Sequence, residues 1–361
     1  MSPSLAPKAG TRAVRGERVT VGGKWWRFLV ALTVLVPASW MSRPASGAPS
    51  RLEGVPRIKH AFIIVLENEN YSASWGPASP ATYLNSLVPK GAFATHYYGV
   101  SHASADNYIA MTSGQTPTPV FQADCVNWSA CEQSEKVTAG GGRSVADQLE
   151  EKGLGWTGYM GSMAVPCQHP PASSGSDPYQ TGYATRHDPF VYYPPIVESQ
   201  ARCEAHVRPY TELPPLLATG AVSNYVFITP DTCDDGHDAP CADGRPGGLV
   251  SADAWLRANV PLILSSPAYI DHGALFITFD ESGFDDVSGC CSTGVPPTGV
   301  NGGGRVGLLM LSRLVKPGSS TDSPYDHNSL LRTIEDGFGI SEHLNNAGST
   351  AEHAMADLFR H

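Results

Sequence analysis

Ala61-Phe62-Ile63-Ile64-Val65-Leu66-Glu67-Asn68 is an unbroken apolar run that ends directly in a carboxylate and an amide. An apolar run without alternation reads as a strand buried on both faces, the condition of a mostly parallel sheet. The strand is expected over Ile58–Leu66, and its carboxyl end delivers Glu67 and Asn68 into a loop, where open α/β sheets keep their chemistry. A turn uses Asn68 and Asn70 equally well.

Two further stretches repeat this design. Asn224–Pro230 empties into Asp231-Thr232-Cys233-Asp234-Asp235-Gly236-His237-Asp238, and Gly273–Phe279 ends in Asp280-Glu281. Acids gathered at strand ends and absent inside the strands suit a hard cation or a charged transition state. The competing reading of the 231–238 segment is a disulfide-tied acidic loop with no function.

Around these strands the sequence predicts helices at Ala81–Val88, Ser144–Lys152, Ser251–Leu264 and Leu330–Phe338, the last closed by Gly339. Strands are expected near Gly91–Tyr98, at Trp156–Met160, and as an edge-like strand at Val306–Leu311. Pro166–Tyr193, rich in Pro, Ser, Tyr and Gly, reads as a long functional loop or lid carrying His169 and His187.

One segment ahead of a short helix carries a possible nucleophile. Ser101-His102-Ala103-Ser104-Ala105-Asp106-Asn107-Tyr108 sets a hydroxyl, an imidazole and an amide where a helix begins near Ala105. The free N–H groups and the positive dipole end of that helix favour an anion, phosphate above all. Small polar residues also precede helices simply to cap them. His327, ahead of the Leu330–Phe338 helix, is either a cap-region residue or a site residue.

Composition narrows the class. Of 361 residues, the first 48 hold seven Lys/Arg and one Glu, then Phe28–Val36 is apolar, and Ala45-Ser46-Gly47-Ala48 follows. That order is a secretory signal peptide, since the apolar run is short of the ~20 residues a membrane span needs. The expected organisation is a signal at 1–48, a linker at 49–57 and one catalytic domain at 58–361. Without the signal, 17 basic and 33 acidic side chains remain, a formal charge of −16 that argues against a general nucleic-acid or anionic-membrane binder. Eight cysteines in an exported chain imply disulfides, with Cys125–Cys131 and Cys233–Cys241 as the expected short-range pairs. Cys290 and Cys291 are expected to pair elsewhere, because a bond between neighbours is strained. No Cys-x-x-Cys repeat supports a zinc site in their place.

Five motifs in order carry a resemblance: Leu66–Asn70, the His-x-Ser-x-x-Asn-Tyr segment at 102–108, Thr229-Pro230-Asp231 through Asp238, Phe279-Asp280-Glu281, and Tyr325-Asp326-His327 through Asp336. Together they resemble the bacterial phosphoesterase family of secreted acid phosphatases and phospholipases C, within the alkaline phosphatase superfamily, over most of 58–340. The resemblance implies one α/β domain with a mostly parallel central sheet, helices on both faces and long disulfide-tied loops over the strand carboxyl ends. It also implies that Glu67, Asn68, Asp280 and Glu281 hold a divalent metal (zinc, magnesium or calcium) beside the nucleophilic hydroxyl of Ser104. Relatives often carry two aspartates where Asp280-Glu281 stands, and proline where Asp106 stands. A carboxylate at 106 would repel an incoming phosphate.

The expected chemistry is attack of Ser104 on a phosphate ester through a phosphoserine intermediate. Asn107 and the helix terminus would hold the phosphoryl group, and His102, His187, His237 and His327 would donate hydrogen bonds or protonate the leaving oxygen. A secreted, monomeric phosphomonoesterase, acting on soluble esters or phosphoinositides, is favoured over a phospholipase C-type phosphodiesterase because the chain ends soon after its last motif. The reading from another class is a non-catalytic secreted binding protein stabilised by calcium.

Overall fold

The computed structural model describes residues 51–132, 142–171, 173–292 and 302–360. The expected signal peptide at 1–48 lies outside the described residues. Of the expected linker, Val55 is fully buried in the core, so the chain is already packed there.

The strands are β1 His60–Leu66, β2 Ala92–Ala94, β3 Tyr97–Tyr98, β4 Trp156–Met160, β5 Val207–Pro209, β6 Tyr225–Thr229, β7 Gly273–Phe279, β8 Leu308–Ser312, β9 Ser319–Thr321 and β10 Tyr325–Asp326. Eight of them form one sheet in the order β5-β4-β6-β1-β7-β8-β2-β9, and β10 pairs with β3 in a second, two-stranded sheet. Pairing in the large sheet is parallel except where β8 runs antiparallel to β7 and to β2. The architecture is therefore the expected α/β one. Every residue of β4, β6, β7 and β8 is buried, so both sheet faces are covered. That is why these segments are mostly apolar, with only Thr157, Thr229, Thr278 and Ser312 polar, and do not alternate.

Register places the chemistry. β1 lies between β6 and β7, parallel to both, with Ile64 opposite Ile228 and Leu66 opposite Phe279. The three acid-tipped strands therefore end side by side. Beyond the last strand residues the Glu67 N–H donates to the Asp235 carbonyl at 2.9 Å, and the Asp280 N–H donates to the Leu66 carbonyl at 2.9 Å. These bonds fix two loops against the end of β1 before any side chain acts.

Three expectations need correction. The strand near Val306 is no edge: β8 sits between β7 and β2, and all its residues are buried. The 166–193 segment is a loop only in its first part: Tyr183 through Tyr193 are buried, so that stretch is no lid, and the Cys167–Cys203 disulfide holds the segment's start. Cys290 and Cys291 pair with each other. Cys125–Cys131, Cys167–Cys203 and Cys233–Cys241 use the other six sulfurs, leaving these two no other partner.

Candidate active site

Ser104 opens a helix, Ser104–Ser113, whose ten residues are all buried and which ends at Gly114 in the left-handed conformation that stops helices cheaply. Just before it Ala103 holds φ +113°, a region L residues avoid at a cost of about 1–3 kcal/mol. The bend turns the Ser104 side chain toward the end of β1. There its Oγ donates to Glu67 Oε2 at 2.9 Å, while Tyr108, one helical turn on, donates to Glu67 Oε1 at 2.5 Å. The approach of the chain to Ser104 is tight. A Cβ on Gly303 would lie 2.4 Å from the Ser101 carbonyl, so glycine is required where 302–304 passes the loop.

Glu67 is shared between the hydroxyl and a buried ligand group. His187 Nε2 is 3.3 Å from Glu67 Oε1, and His187 Nδ1 is 3.1 Å from Asp235 Oδ2. One ligand atom from each of Glu67, His187 and Asp235 lies within 4.8 Å of the others, a spacing that can hold a metal ion. Asp280 adjoins them, its Oδ1 accepting the Asn68 N–H at 3.2 Å. His187 Nε2, Asp235 Oδ2 and Asp280 Oδ2 are buried without a hydrogen-bond partner.

The electrostatics point the same way. Burial, and then the charges of Asp280 and Asp235, push the Glu67 carboxyl well above its ordinary range. Asp280 is raised by burial and by Glu281, and Asp235 by burial and then by Asp280. Burial, followed by the charges of Arg186 and His237, drives His187 well below its usual value and keeps it neutral, the form that ligates metals. Crowded carboxylates beside a neutral imidazole, with acceptor atoms left over, suit a divalent cation. The residues present fit such an ion.

The remaining expected residues take different places. The Asn68 side-chain amide donates to Glu67 Oε2 at 3.1 Å, at the edge of the group. Glu281 turns to His102, its Oε2 2.5 Å from Nδ1, and also accepts the Ala103 N–H at 3.2 Å. Burial opposes ionisation of His102, but the bond and charge of Glu281 prevail and raise its pKa. His102 Nε2 meets the Asp286 carbonyl at 2.8 Å, so both ring nitrogens are engaged. His237 sits at the rim, between Asp238 and the Arg186 guanidinium, which is 3.1 Å from Nε2. Asn107 serves the loop ahead of Ser104: its oxygen accepts the Val100 and Ser101 N–H groups and its nitrogen donates to the Ser101 and Ala103 carbonyls. His327 bridges the Tyr97 hydroxyl and the Asp280 carbonyl, and burial lowers it to about 4. It braces the backbone behind Asp280.

Asp106 also points elsewhere, accepting the Thr118 N–H at 3.1 Å and the Ser101 hydroxyl at 3.4 Å. The carboxylate at the helix terminus is that of Asp124, whose Oδ1 accepts the Ala105 N–H at 3.2 Å. Of the acidic loop, Asp231 caps its own turn, Asp234 pairs with Arg245, and Asp238 accepts from Thr232, which leaves Asp235 to face Glu67. Arg186 and Asp124 had no sequence signal of their own. Tyr108 had one only as the last residue of the 102–108 motif, and Asp235 only as a member of its cluster.

The sequence model described as "Phosphoesterase family" matches residues 77–341. That span includes the Ser104 helix, Asp235 and Asp280, and it begins after Glu67. Among curated proteins the chain is 26% identical over 294 residues to an acid phosphatase of Aspergillus fumigatus, covering 81% of this chain and 57% of that one. It is 24% identical over 320 residues to a phosphatidylinositol-3-phosphatase of Mycobacterium tuberculosis, covering 87% of this chain and 89% of that one. The chain thus spans little more than half the length of the fungal relative. Among solved structures, an alkaline phosphatase superfamily protein from Vibrio parahaemolyticus aligns with TM-score 0.54 at 12% identity, covering 83% of this chain and 72% of that one. The lipoteichoic acid synthase LtaP from Listeria monocytogenes aligns at 0.52 and 10%, covering 85% and 78%. These likenesses show the shared fold. With a family match across most of the domain and a serine hydroxyl bonded to a carboxylate at the parallel strand ends, the chain belongs to the phosphoesterase family.

Proposed function

We propose that this protein is a metal-dependent phosphomonoesterase of the acid phosphatase kind that works through a phosphoserine on Ser104. The observation that carries the reading is Glu67, which accepts the Ser104 hydroxyl with one oxygen and adjoins His187 with the other. Glu67, His187, Asp235 and Asp280 would hold a divalent ion, with Asn68 beside them. Such an ion, when bound, lowers the pKa of an adjoining hydroxyl and offsets phosphoryl charge.

The chain's own groups do the rest. Glu67 orients Ser104 Oγ for in-line attack on phosphorus, and Tyr108 keeps the carboxylate from turning. Attack passes the Ser104 hydroxyl proton to Glu67, forms the Ser104 O–P bond and breaks the bond to the ester oxygen. That oxygen leaves with a proton, for which the imidazole of His237, exposed at the rim, is a source. Water then cleaves the phosphoserine and releases inorganic phosphate. Arg186 and the terminus of the Ser104 helix supply positive potential for the phosphoryl oxygens.

The Mycobacterium tuberculosis relative, matched over most of both chains, supports phosphomonoesters, phosphoinositides among them, over diesters. Engagement of all eight cysteines in disulfides suits an oxidising compartment and thus secretion. Among the described residues no helix is long and apolar enough to cross a membrane. Hydrolysis of p-nitrophenyl phosphate by the wild type and by Ser104→Ala tests the reading. Turnover should vanish while the thermal midpoint is kept, and undiminished activity in the variant would refute it. Exclusive hydrolysis of p-nitrophenyl phosphorylcholine would reassign the enzyme as a phosphodiesterase.

A further inference from the structure

An anion already lies where the phosphoryl group should bind. At the start of the Ser104 helix the N–H groups closest to the nucleophile are answered by carboxylates: that of Ala103 by Glu281 and that of Ala105 by Asp124. The Ser104 N–H also faces the Asp124 carboxylate; burial raises that carboxyl above its ordinary range, and the Ala105 N–H, Arg186, His237 and the Ser104 N–H oppose the rise. These are the donors and charges that a phosphoryl group bound at Ser104 would use. Beyond Glu67, the unpartnered atoms of His187, Asp235 and Asp280 mark the same centre as built for a further ligand. Phe121, buried on one side, and the Cys125–Cys131 disulfide on the other anchor the short segment that presents Asp124.

We propose that Asp124 is an internal stand-in for the phosphoryl group, so that substrate and product phosphate bind only by displacing its carboxylate. The proposal rests on the phosphomonoesterase reading and specifies how that site sets its affinity for phosphate. A displaceable carboxylate at the terminus weakens every phosphate ligand alike, substrate and product. It therefore limits inhibition by inorganic phosphate at the expense of a higher KM.

The test measures the inhibition constant of inorganic phosphate and the KM for p-nitrophenyl phosphate in wild type, Asp124→Asn and Asp124→Ala. Removing one partly buried charge next to a dianion should lower both constants together by about tenfold in each variant. Unchanged or higher constants in either variant, with a lower thermal midpoint, would make Asp124 a helix cap only and overturn the proposal. Calorimetric titration of inorganic phosphate into Ser104→Ala, with and without Asp124→Asn, reads the same displacement without turnover. A wild type inactive on phosphate esters would sink the phosphomonoesterase reading. The calorimetric comparison would still decide Asp124, with unequal affinities in the expected direction upholding it and equal affinities overturning it.

Discussion

Asp235→Asn separates a ligand from a scaffold residue. Asp235 Oδ1 accepts the His237 N–H at 2.8 Å, and asparagine keeps that oxygen. At Oδ2 the substitution places an NH₂ about where the carboxylate lies 3.1 Å from His187 Nδ1, and a neutral imidazole can accept from it. What changes is charge. In the metal-free protein at pH 8, Asp235 repels Glu67 and Asp280 in a buried site. Removing that buried, uncompensated charge should stabilise the metal-free fold by on the order of 1–3 kcal/mol, the usual size of such effects. The thermal midpoint in EDTA should rise by roughly 2–6 °C.

With a divalent cation at a hundred times its Kd the order reverses. The wild type then gains about 2.7 kcal/mol from binding, while the variant, lacking a charged ligand, binds much more weakly and gains little. Thermal unfolding of both proteins in EDTA and in zinc, magnesium or calcium checks this. The signature is a crossing of the two midpoints. A wild type more stable than Asp235→Asn under both conditions, or midpoints blind to all three cations, would refute a metal centre built on this residue.

Glu335, buried in the helix His327–Phe338, is pushed up to about 8 by desolvation. The unfolded chain releases this proton near ~4.3, so the folded state holds it longer and stability falls as pH rises from there to about 8. Glu335→Gln keeps an acceptor for the Leu344 N–H without titrating, and should flatten that decline and unfold at a higher temperature than wild type above pH 8. Parallel stability curves in pH-dependent calorimetry would contradict it. Replacing Cys167 and Cys203 together by serine opens a loop of 36 residues and should cost about 4 kcal/mol on the chain-entropy account, measured by denaturant unfolding. Because this bond anchors the start of the segment that carries His187, activity should fall along with stability. Unaltered activity in a destabilised variant would show that the segment holds its place without the bond.

The strands were legible because their signal is local. β4 and β7 fall on the predicted residues, and β1 and β6 fall within a residue or two of theirs, since a doubly buried strand is apolar at nearly every position. β8 was misjudged as an edge because exposure of a strand depends on its neighbours, and the sequence carries no mark of β2 pairing beyond it. The Pro-rich 166–193 segment looked like a surface loop for its composition, yet its Phe190, Val191, Tyr192 and Tyr193 fill the core.

From the amino-acid order alone came three buried strands tipped with acids, a serine ahead of a helix, and the family resemblance those motifs carry. Only the tertiary structure decided which acids share a centre. One of the four aspartates in the 231–238 loop reaches Glu67, Glu281 turns aside to His102, and His187 rather than His327 joins the group. The carboxylate facing the helix terminus is Asp124, twenty residues along the chain from Ser104, not the adjacent Asp106. The physical reason is range. Burial pattern and strand ends follow from neighbours in sequence. The direction of a loop carboxylate follows from register between strands far apart in the chain, and from the backbone bonds that register permits.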